Sequence, residues 1–383
     1  SVSMGRRGGT HVDCAAERVI LSREDGDGSL EPGGSLAPLG MTQQQQVRVL
    51  IDGRSLVPPR SGIGVHTAEI AGRLAVSPPP LIASHAEIAN KQGIENCGFR
   101  VDRAPNGILW QQFVLPRIAS EGDVLWAPHG TLPVKLTIPA VVTLHDFSSL
   151  TMPQRHRIRT ILSFNIFITS SLEKAKRIAA VSHAVADEAV HWFGVPRRLI
   201  EIVPNGVDDF FQPGGEPEDF ILFVGTLEPR KGIEDLVAVW SSLPEPRPPL
   251  MLCGDLGWRV SVPDGIGITG WVDRDRLRAL YQRARIFVYP SRYEGFGIPP
   301  LEAMACGAPV IATRVGAIGE YADGAALLVD PGDRDALRAA ILRLLREPGL
   351  RRELRARGIE RAKQYRWDRS AALMTQLLTE AAK

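Results

Sequence analysis

The chain has 383 residues, with 45 Lys and Arg against 43 Asp and Glu and a formal net charge of +2. That balance gives no global field to gather nucleic acid, and the longest apolar runs fall far short of the roughly 20 residues of a membrane span. A hydrophobic content of 44% and a charged content of 23% describe a soluble globular chain with room for two or three domains.

Residues 1–40 are rich in Gly, Ser and charge and hold no apolar core for a signal peptide. They are expected to be a disordered or non-native extension, with Met41 as the natural start. From Val47 onward short apolar strands alternate with helical stretches. The expected strands are Arg48–Asp52, Val124–Ala127, Ala140–Leu144 and Ile178–Val181, then Phe220–Val224, Pro249–Cys253, Gly267–Thr269, Ile286–Tyr289 and Val310–Ala312. Helices are expected at Ile63–Leu74, Ile233–Ser241, Asp273–Arg283 and Arg334–Arg346. Such alternation predicts an α/β fold with two parallel sheets, each covered on both faces. A Pro/Gly-rich linker at Asp208–Glu218 separates two Rossmann-like domains, 41–212 and 213–366, facing a cleft. An amphipathic helix over 367–383 closes the chain. Cys14, Cys97, Cys253 and Cys306 show no paired spacing and read as free thiols of a reducing compartment, the cytoplasm.

Several segments carry chemistry. Arg60-Ser-Gly62-Ile-Gly64 opens the first helix but fails the dinucleotide fingerprint, because its loop is too long and Thr67 stands where a glycine is needed. Thr143-Leu-His145-Asp146 places a polar pair at the carboxyl end of a buried strand, where open α/β sheets bind ligands. The segment Arg155–Arg177 is basic at both ends with Ile161, Leu162, Phe164, Ile166 and Phe167 between them. It suits either an interfacial helix on anionic lipid or a core helix with solvated ends. Asn205 reads as a turn-locking residue. Arg230 and Lys231 follow a strand and can face a pyrophosphate, Arg as a fork and Lys as a point charge. Thr269-Gly270-Trp271-Val272 ends another strand at the ligand edge.

The most informative stretch runs from Tyr289 to Thr313 and contains Glu294-Gly-Phe-Gly-Ile-Pro-Pro-Leu-Glu302. A strand end, the backbone freedom of Gly295 and Gly297, and a helix from about Leu301 to Cys306, with Glu302 in its first turn and Pro299-Pro300 suited to its start, form an anion site. Free N–H groups and the helix dipole point outward there. Two carboxylates beside a phosphate-sized hole suit hydroxyl groups, so a phosphate-bearing sugar is the expected ligand.

Pro-Ser-x-x-Glu-Gly-Phe-Gly-Ile-Pro-x-Leu-Glu-Ala-Met-Ala-x-Gly resembles the signature of the retaining glycosyltransferases of family 4, with the GT-B fold. Ile51-Asp-Gly-Arg-Ser, Ala127-Pro-His129-Gly and Val224-Gly-Thr-Leu-Glu-Pro-Arg-Lys resemble its O-antigen mannosyltransferase branch. The resemblance implies that Lys231, with Arg230, balances a leaving diphosphate. It also implies that Glu302 accepts from ribose hydroxyls, that Glu294 contacts the transferred sugar and that His145 orients the attack without acting as a base. The donor would be held at Gly62, Gly64, Gly225, Thr226, Gly270, Val272, Gly295, Phe296, Gly297, Ile298 and Leu301, partly through their backbone, and the acceptor at His129 and Asp146. Thr226 departs from the arginine that many members carry after the glycine, which shifts phosphate neutralisation toward Lys231. The last helix would return onto the first domain.

The expected reaction is front-face transfer of a hexose with retention, to a glycan or lipid-linked saccharide acceptor of bacterial surface polysaccharide. GDP-mannose is the first candidate donor, and UDP-glucose or another UDP-hexose the alternative. No Asp-x-Asp cluster is placed to chelate a metal at a diphosphate, so metal independence is expected. A nucleotide-sugar 2-epimerase is the nearest enzyme rival. A nicotinamide-dependent dehydrogenase lacks its glycine fingerprint, and a non-catalytic sugar-nucleotide binding subunit is disfavoured by the intact site residues.

Overall fold

A computed structural model describes residues 45–58, 62–152, 158–255, 263 and 265–383. Residues 1–40, Met41 and Arg155-His-Arg157 therefore lie outside the described residues, as do the side chains of 158–165.

The continuous apolar runs form two all-parallel sheets. The first lobe has β1 Val49–Asp52, β2 Leu81–Ser84, β3 Gly98–Val101, β4 Val124–Ala127, β5 Ala140–Leu144, β6 Arg177–Ala180 and β7 Ile200–Ile202. Its spatial order is β3-β2-β1-β4-β5-β6-β7. The second lobe has β8 Ile221–Val224, β9 Leu250–Cys253, β10 Ile266–Gly270, β11 Ile286–Tyr289, β12 Val310–Thr313 and β13 Leu327–Val329. Its order is β10-β9-β8-β11-β12-β13. Both sheets reverse direction beside their first strand, at β1/β4 and β8/β11. Such a switch point opens a crevice at the carboxyl ends of the strands. Every residue of β1, β4, β5, β8, β11 and β12 is buried, as expected for parallel strands covered on both faces.

Among the described residues the α-helices of six residues or more are α1 Gly62–Ala71, α2 Ile158–Lys174, α3 His183–Phe193, α4 Ile233–Ser241, α5 Arg274–Arg283, α6 Ile298–Cys306, α7 Gly316–Tyr321, α8 Arg334–Arg346, α9 Pro348–Ala362 and α10 Trp367–Ala381. Asp273 caps α5 by accepting from the Arg276 N–H, and Gly307, at φ +82°, ends α6. On α10, Trp367, Met374, Leu377 and Leu378 are buried in one cluster with Val49, Ile51 and Ile70 of the first lobe.

Two boundaries differ from the sequence reading in ways that matter. The first helix, expected over Ile63–Leu74, runs Gly62–Ala71, so Gly62 and Gly64 both stand in its first turn. Helix α6 begins at Ile298 with both prolines inside its first turn, so Glu302 stands in the second turn and not in the first. Strands β2, β3, β7 and β13 were not expected. The last three are edge strands of three or four residues, and β2 follows directly on Pro78-Pro-Pro80. Among the described residues no helix is long and apolar enough to cross a membrane.

Candidate active site

The wall contributed by the second lobe is built where β8 and β11 end. After β8 the chain makes a single 3-10 turn, Pro229–Lys231, stopped by Gly232 at φ +69°. A Cβ on Gly232 would lie 2.0 Å from the Pro290 carbonyl oxygen, so only glycine lets this turn press against the loop after β11. The contact brings Lys231 to Glu294. Glu294 is 8% exposed, and its Oε1 accepts from Lys231 Nζ (2.6 Å), Ser291 Oγ (2.6 Å) and Tyr289 Oη (3.0 Å). Its Oε2 lies 3.5 Å from the Arg230 Nη1. One carboxylate oxygen thus accepts three hydrogen bonds, while the other has a single ion-pair partner among the described residues. Burial alone would raise the Glu294 carboxyl, but Lys231 and Arg230 hold it below its ordinary range.

Arg230 donates from Nη1 to the Tyr293 carbonyl at 3.0 Å and from Nη2 to Glu228 at 2.7 Å. Its fork braces the loop. Lys231 donates to Tyr289 Oη at 2.8 Å and to Glu294, which leaves one ammonium proton for an incoming anion.

Glu302, one turn into α6, is partly buried and accepts from Tyr281 Oη at 2.9 Å. Burial pushes its carboxyl up to about 7, against the pull of that hydrogen bond. The side chains of Phe296 and Leu301 are 4% and 0% exposed, Phe296 packing on Tyr321, so only their backbone is open to a donor role. Thr226 is exposed, Gly270 has open space at its α-carbon, and Trp271 is 75% exposed, unpacked at the end of β10 beside Val272.

The first-lobe wall carries less charge. His129, His145 and Asp146 follow the adjacent strands β4 and β5 and line one cavity of about 370 Å³ together with Arg230 of the other lobe. His145 Nε2 lies 2.9 Å from the Pro128 carbonyl, which can only accept, so the neutral ring carries its proton on Nε2 and a lone pair on Nδ1. Burial lowers His145 to about 4, more than the Pro128 bond and Asp146 can offset. His129 is also lowered to about 4, by burial first and by Arg54 second. Asp146 accepts at Oδ1 from the Ser148 N–H (2.9 Å) and Oγ (2.6 Å).

Behind His145 sits His66, fully buried on α1, with its ring edge-on at 4.7 Å. His66 Nδ1 pairs with Asn205 Oδ1 at 2.7 Å, which ties α1 to the turn that follows β7. His66 stands just after the glycine motif that opens the first helix; its partner lies 139 residues away, so no local spacing could reveal the pair.

The lobes meet at the site itself. Gly295 was expected to approach a ligand, but it approaches protein: a Cβ there would lie 1.6 Å from the His145 carbonyl oxygen. The adjacent Tyr293 Oη accepts from the Phe147 N–H at 2.9 Å and donates to Glu188 on α3 at 2.6 Å. Glu320 accepts from the His183 and Ala184 N–H groups at the start of α3, at 3.2 and 2.9 Å. These contacts hold the second-lobe loop carrying Glu294 against the strand end carrying His145.

Two switch-point sheets, a lysine–glutamate pair on one wall and polar strand ends on the other define a two-lobed transferase of the GT-B class. Residues 208–365 match the family described as glycosyl transferases group 1, and residues 60–209 match glycosyltransferase family 4. O-antigen chain mannosyltransferase B of Escherichia coli is 35% identical over 267 residues, 63% of this chain and 70% of the relative. O-antigen chain mannosyltransferase RfbU of Salmonella typhimurium is 30% identical over 227 residues, 56% of this chain and 62% of the relative, so less than two thirds of that protein is spanned. The sucrose-phosphate synthase structure from Thermosynechococcus elongatus shares the fold, with a TM-score of 0.69 at 23% identity over 87% of this chain and 98% of its own. The chain belongs to the family 4 glycosyltransferases.

Proposed function

We propose that the protein transfers mannose from GDP-mannose, with retention, to a glycan or lipid-linked saccharide acceptor in bacterial surface polysaccharide synthesis at the cytoplasmic side of the membrane. The observation that carries the reading is the Lys231–Glu294 pair held against the neutral His145 across the lobe boundary. The two O-antigen mannosyltransferases among its relatives support mannose as the sugar.

In this reading the donor diphosphate lies at Lys231 and the N-terminus of α6, near the Gly297 and Ile298 N–H groups, where fixed donors and the helix dipole favour negative charge. Glu302 accepts from the ribose, and the Oε2 of Glu294 accepts from a sugar hydroxyl. Gly62 and Gly64, in the first turn of α1, face the donor from the first lobe. The acceptor oxygen bonds to the anomeric carbon on the face from which the diphosphate departs, and the leaving oxygen takes the acceptor proton. His145, lowered to about 4, is too weak a base for that proton at neutral pH, and its Nδ1 lone pair instead orients a hydroxyl. No metal enters this scheme. Of the segment proposed to meet a membrane, Ile166 is 65% exposed, whereas its neighbour Phe167 turns into the cavity.

The test is a thermal-shift panel of GDP, GDP-mannose, UDP, UDP-glucose and NAD, each with EDTA. A ligand at 100 times its dissociation constant stabilises by about 2.7 kcal/mol, a shift of several degrees. A shift confined to GDP and GDP-mannose supports the reading, and one confined to the uridine compounds replaces the donor with a UDP-hexose. Donor consumption without an acceptor, returning an epimeric nucleotide sugar, would instead make it an epimerase.

A further inference from the structure

One wall of the cavity has no part in the scheme above. Asp52, fully buried, ends β1, and the turn Gly53–Leu56 folds Arg54 back over it. Arg54 Nε and Nη2 donate to Asp52 at 2.9 and 2.7 Å. Gln111 Nε2 donates to the Thr131 carbonyl at 2.6 Å and lies 3.4 Å from Asp52 Oδ2. The salt bridge is therefore locked by residues from distant segments. Arg54 lines the cavity, and its Nη1 has no hydrogen-bond partner among the described residues. The ring nitrogens of His129 and the Ser149 hydroxyl, also on the lining, are likewise unpartnered among the described residues. Ile63, Ile108 and Phe167 share the lining with these polar groups.

We propose that this wall is the subsite for the terminal, uncharged pyranose of the acceptor, with Arg54, held by Asp52, as its hydrogen-bond donor. The assignment rests on the transfer reaction proposed above. A pyranose carries hydroxyls around its rim and C–H groups on its faces, and the wall offers open polar groups interleaved with apolar ones. At about 370 Å³ the cavity is at the small end of ligand pockets, which run from about 300 to 1,000 Å³. Charge decides the class of sugar. Each guanidinium on the lining is already paired, Arg54 with Asp52 and Arg230 with Glu228 and Glu294, and Asp146 forms no ion pair among the described residues. The donor diphosphate would bring further negative charge. A phosphate or carboxylate on the acceptor terminus would find no free cation and would be buried unpaired, at high cost.

The test uses the nucleotide sugar that gives the thermal shift above. Nucleoside diphosphate release beyond the acceptor-free rate is measured with methyl α-mannoside and methyl α-glucoside, and with mannose 6-phosphate and methyl α-glucuronide. Arg54→Gln strands a buried carboxylate, so the double variant Asp52→Asn/Arg54→Gln, which removes both charges, is assayed beside it. The expected result is stimulation by a neutral glycoside, with acceptor KM raised about 10- to 100-fold in both variants, kcat changed by no more than about threefold and the donor shift retained. Stimulation by an acidic sugar, by none of the four, or by a neutral one with unchanged KM in the variants overturns the proposal. An absent donor shift in the unaltered protein would instead fail the transfer reading on which it stands.

Discussion

The two walls of the cleft solve different problems with different chemistry. The second-lobe wall concentrates charge: Glu228, Arg230, Glu294 and Lys231 form a chain of ion pairs, and one oxygen of Glu294 satisfies three donors. Opposite it, the first-lobe wall presents imidazoles held neutral by burial, one salt bridge folded onto itself, and short hydroxyl side chains. A departing diphosphate needs a preset cation, and an attacking sugar hydroxyl needs directional hydrogen bonds without a competing charge. The contacts at Gly295 and Tyr293 hold these two walls side by side.

The largest expected effect falls on the charged wall. Lys231→Ala should lower kcat by about 10²- to 10³-fold, the range for removing one preset donor at a developing anion, with EDTA having no effect on the unaltered enzyme. Steady-state kinetics at saturating substrates checks this, and an unchanged kcat would move the leaving-group charge elsewhere.

Gly295→Ala comes next. Its methyl would overlap the His145 carbonyl, and because that carbonyl is backbone and the backbone also fixes the methyl, the lobes must part to admit it. Overpacking of this kind costs about 1–3 kcal/mol, so transfer should fall by about 10- to 100-fold while nucleotide binding to the second lobe persists. Comparing kcat with the nucleotide dissociation constant separates the two. Tyr293→Phe breaks the same junction more gently. It removes the bond to Glu188 and the acceptor for the Phe147 N–H, for a loss of about tenfold in kcat with little change in donor affinity.

The smallest effect is on stability against acid. His129 and His145 are lowered to about 4, and His66 well below its ordinary value, all mainly by burial. Below about pH 6.5 the unfolded chain binds protons that the folded one refuses, so stability falls as pH drops from about 6.5 toward 4. Glu302, raised to about 7, works in the opposite sense, because the folded state holds its proton more tightly and loses that advantage as pH rises from about 4.5 to 7. Burial also lowers His85 and raises Glu69 and Glu188, so four histidines stand against three carboxyls; the large shifts of His66, His129 and His145 decide the sign, and the melting temperature should decline between pH 7 and pH 5. A flat or rising curve would mean that the imidazoles are not desolvated as described.

The same contrast explains how much could be read from the chain. The second-lobe wall was legible because its parts are local: strand end, glycine loop, prolines and helix start follow one another within Ile286–Cys306, and each has a backbone reason. The central strands were equally plain, being uninterrupted apolar runs. Edge strands such as Gly98–Val101 escaped because they are short and partly exposed, so their pattern does not differ from that of a loop. On the first-lobe wall the residues were visible but not their relations. Asp52 and Arg54 pair locally within a motif that was noted, but Gln111 and Thr131, which were not singled out, join them only through the fold, as Asn205 joins His66. Gly295 shows the limit from the other side: the need for glycine was readable, but what approached it was not.

The division of labour between the walls is tested most directly by the pH profile of kcat between pH 5 and 8, for the unaltered enzyme and for His145→Gln, with donor and acceptor saturating. A neutral, orienting His145 predicts a profile with no ionisation near 6.5, and a His145→Gln curve of the same shape at a lower level. A limb of unit slope with an apparent pKa near 6.5 that disappears in His145→Gln would make the histidine a base and contradict the account.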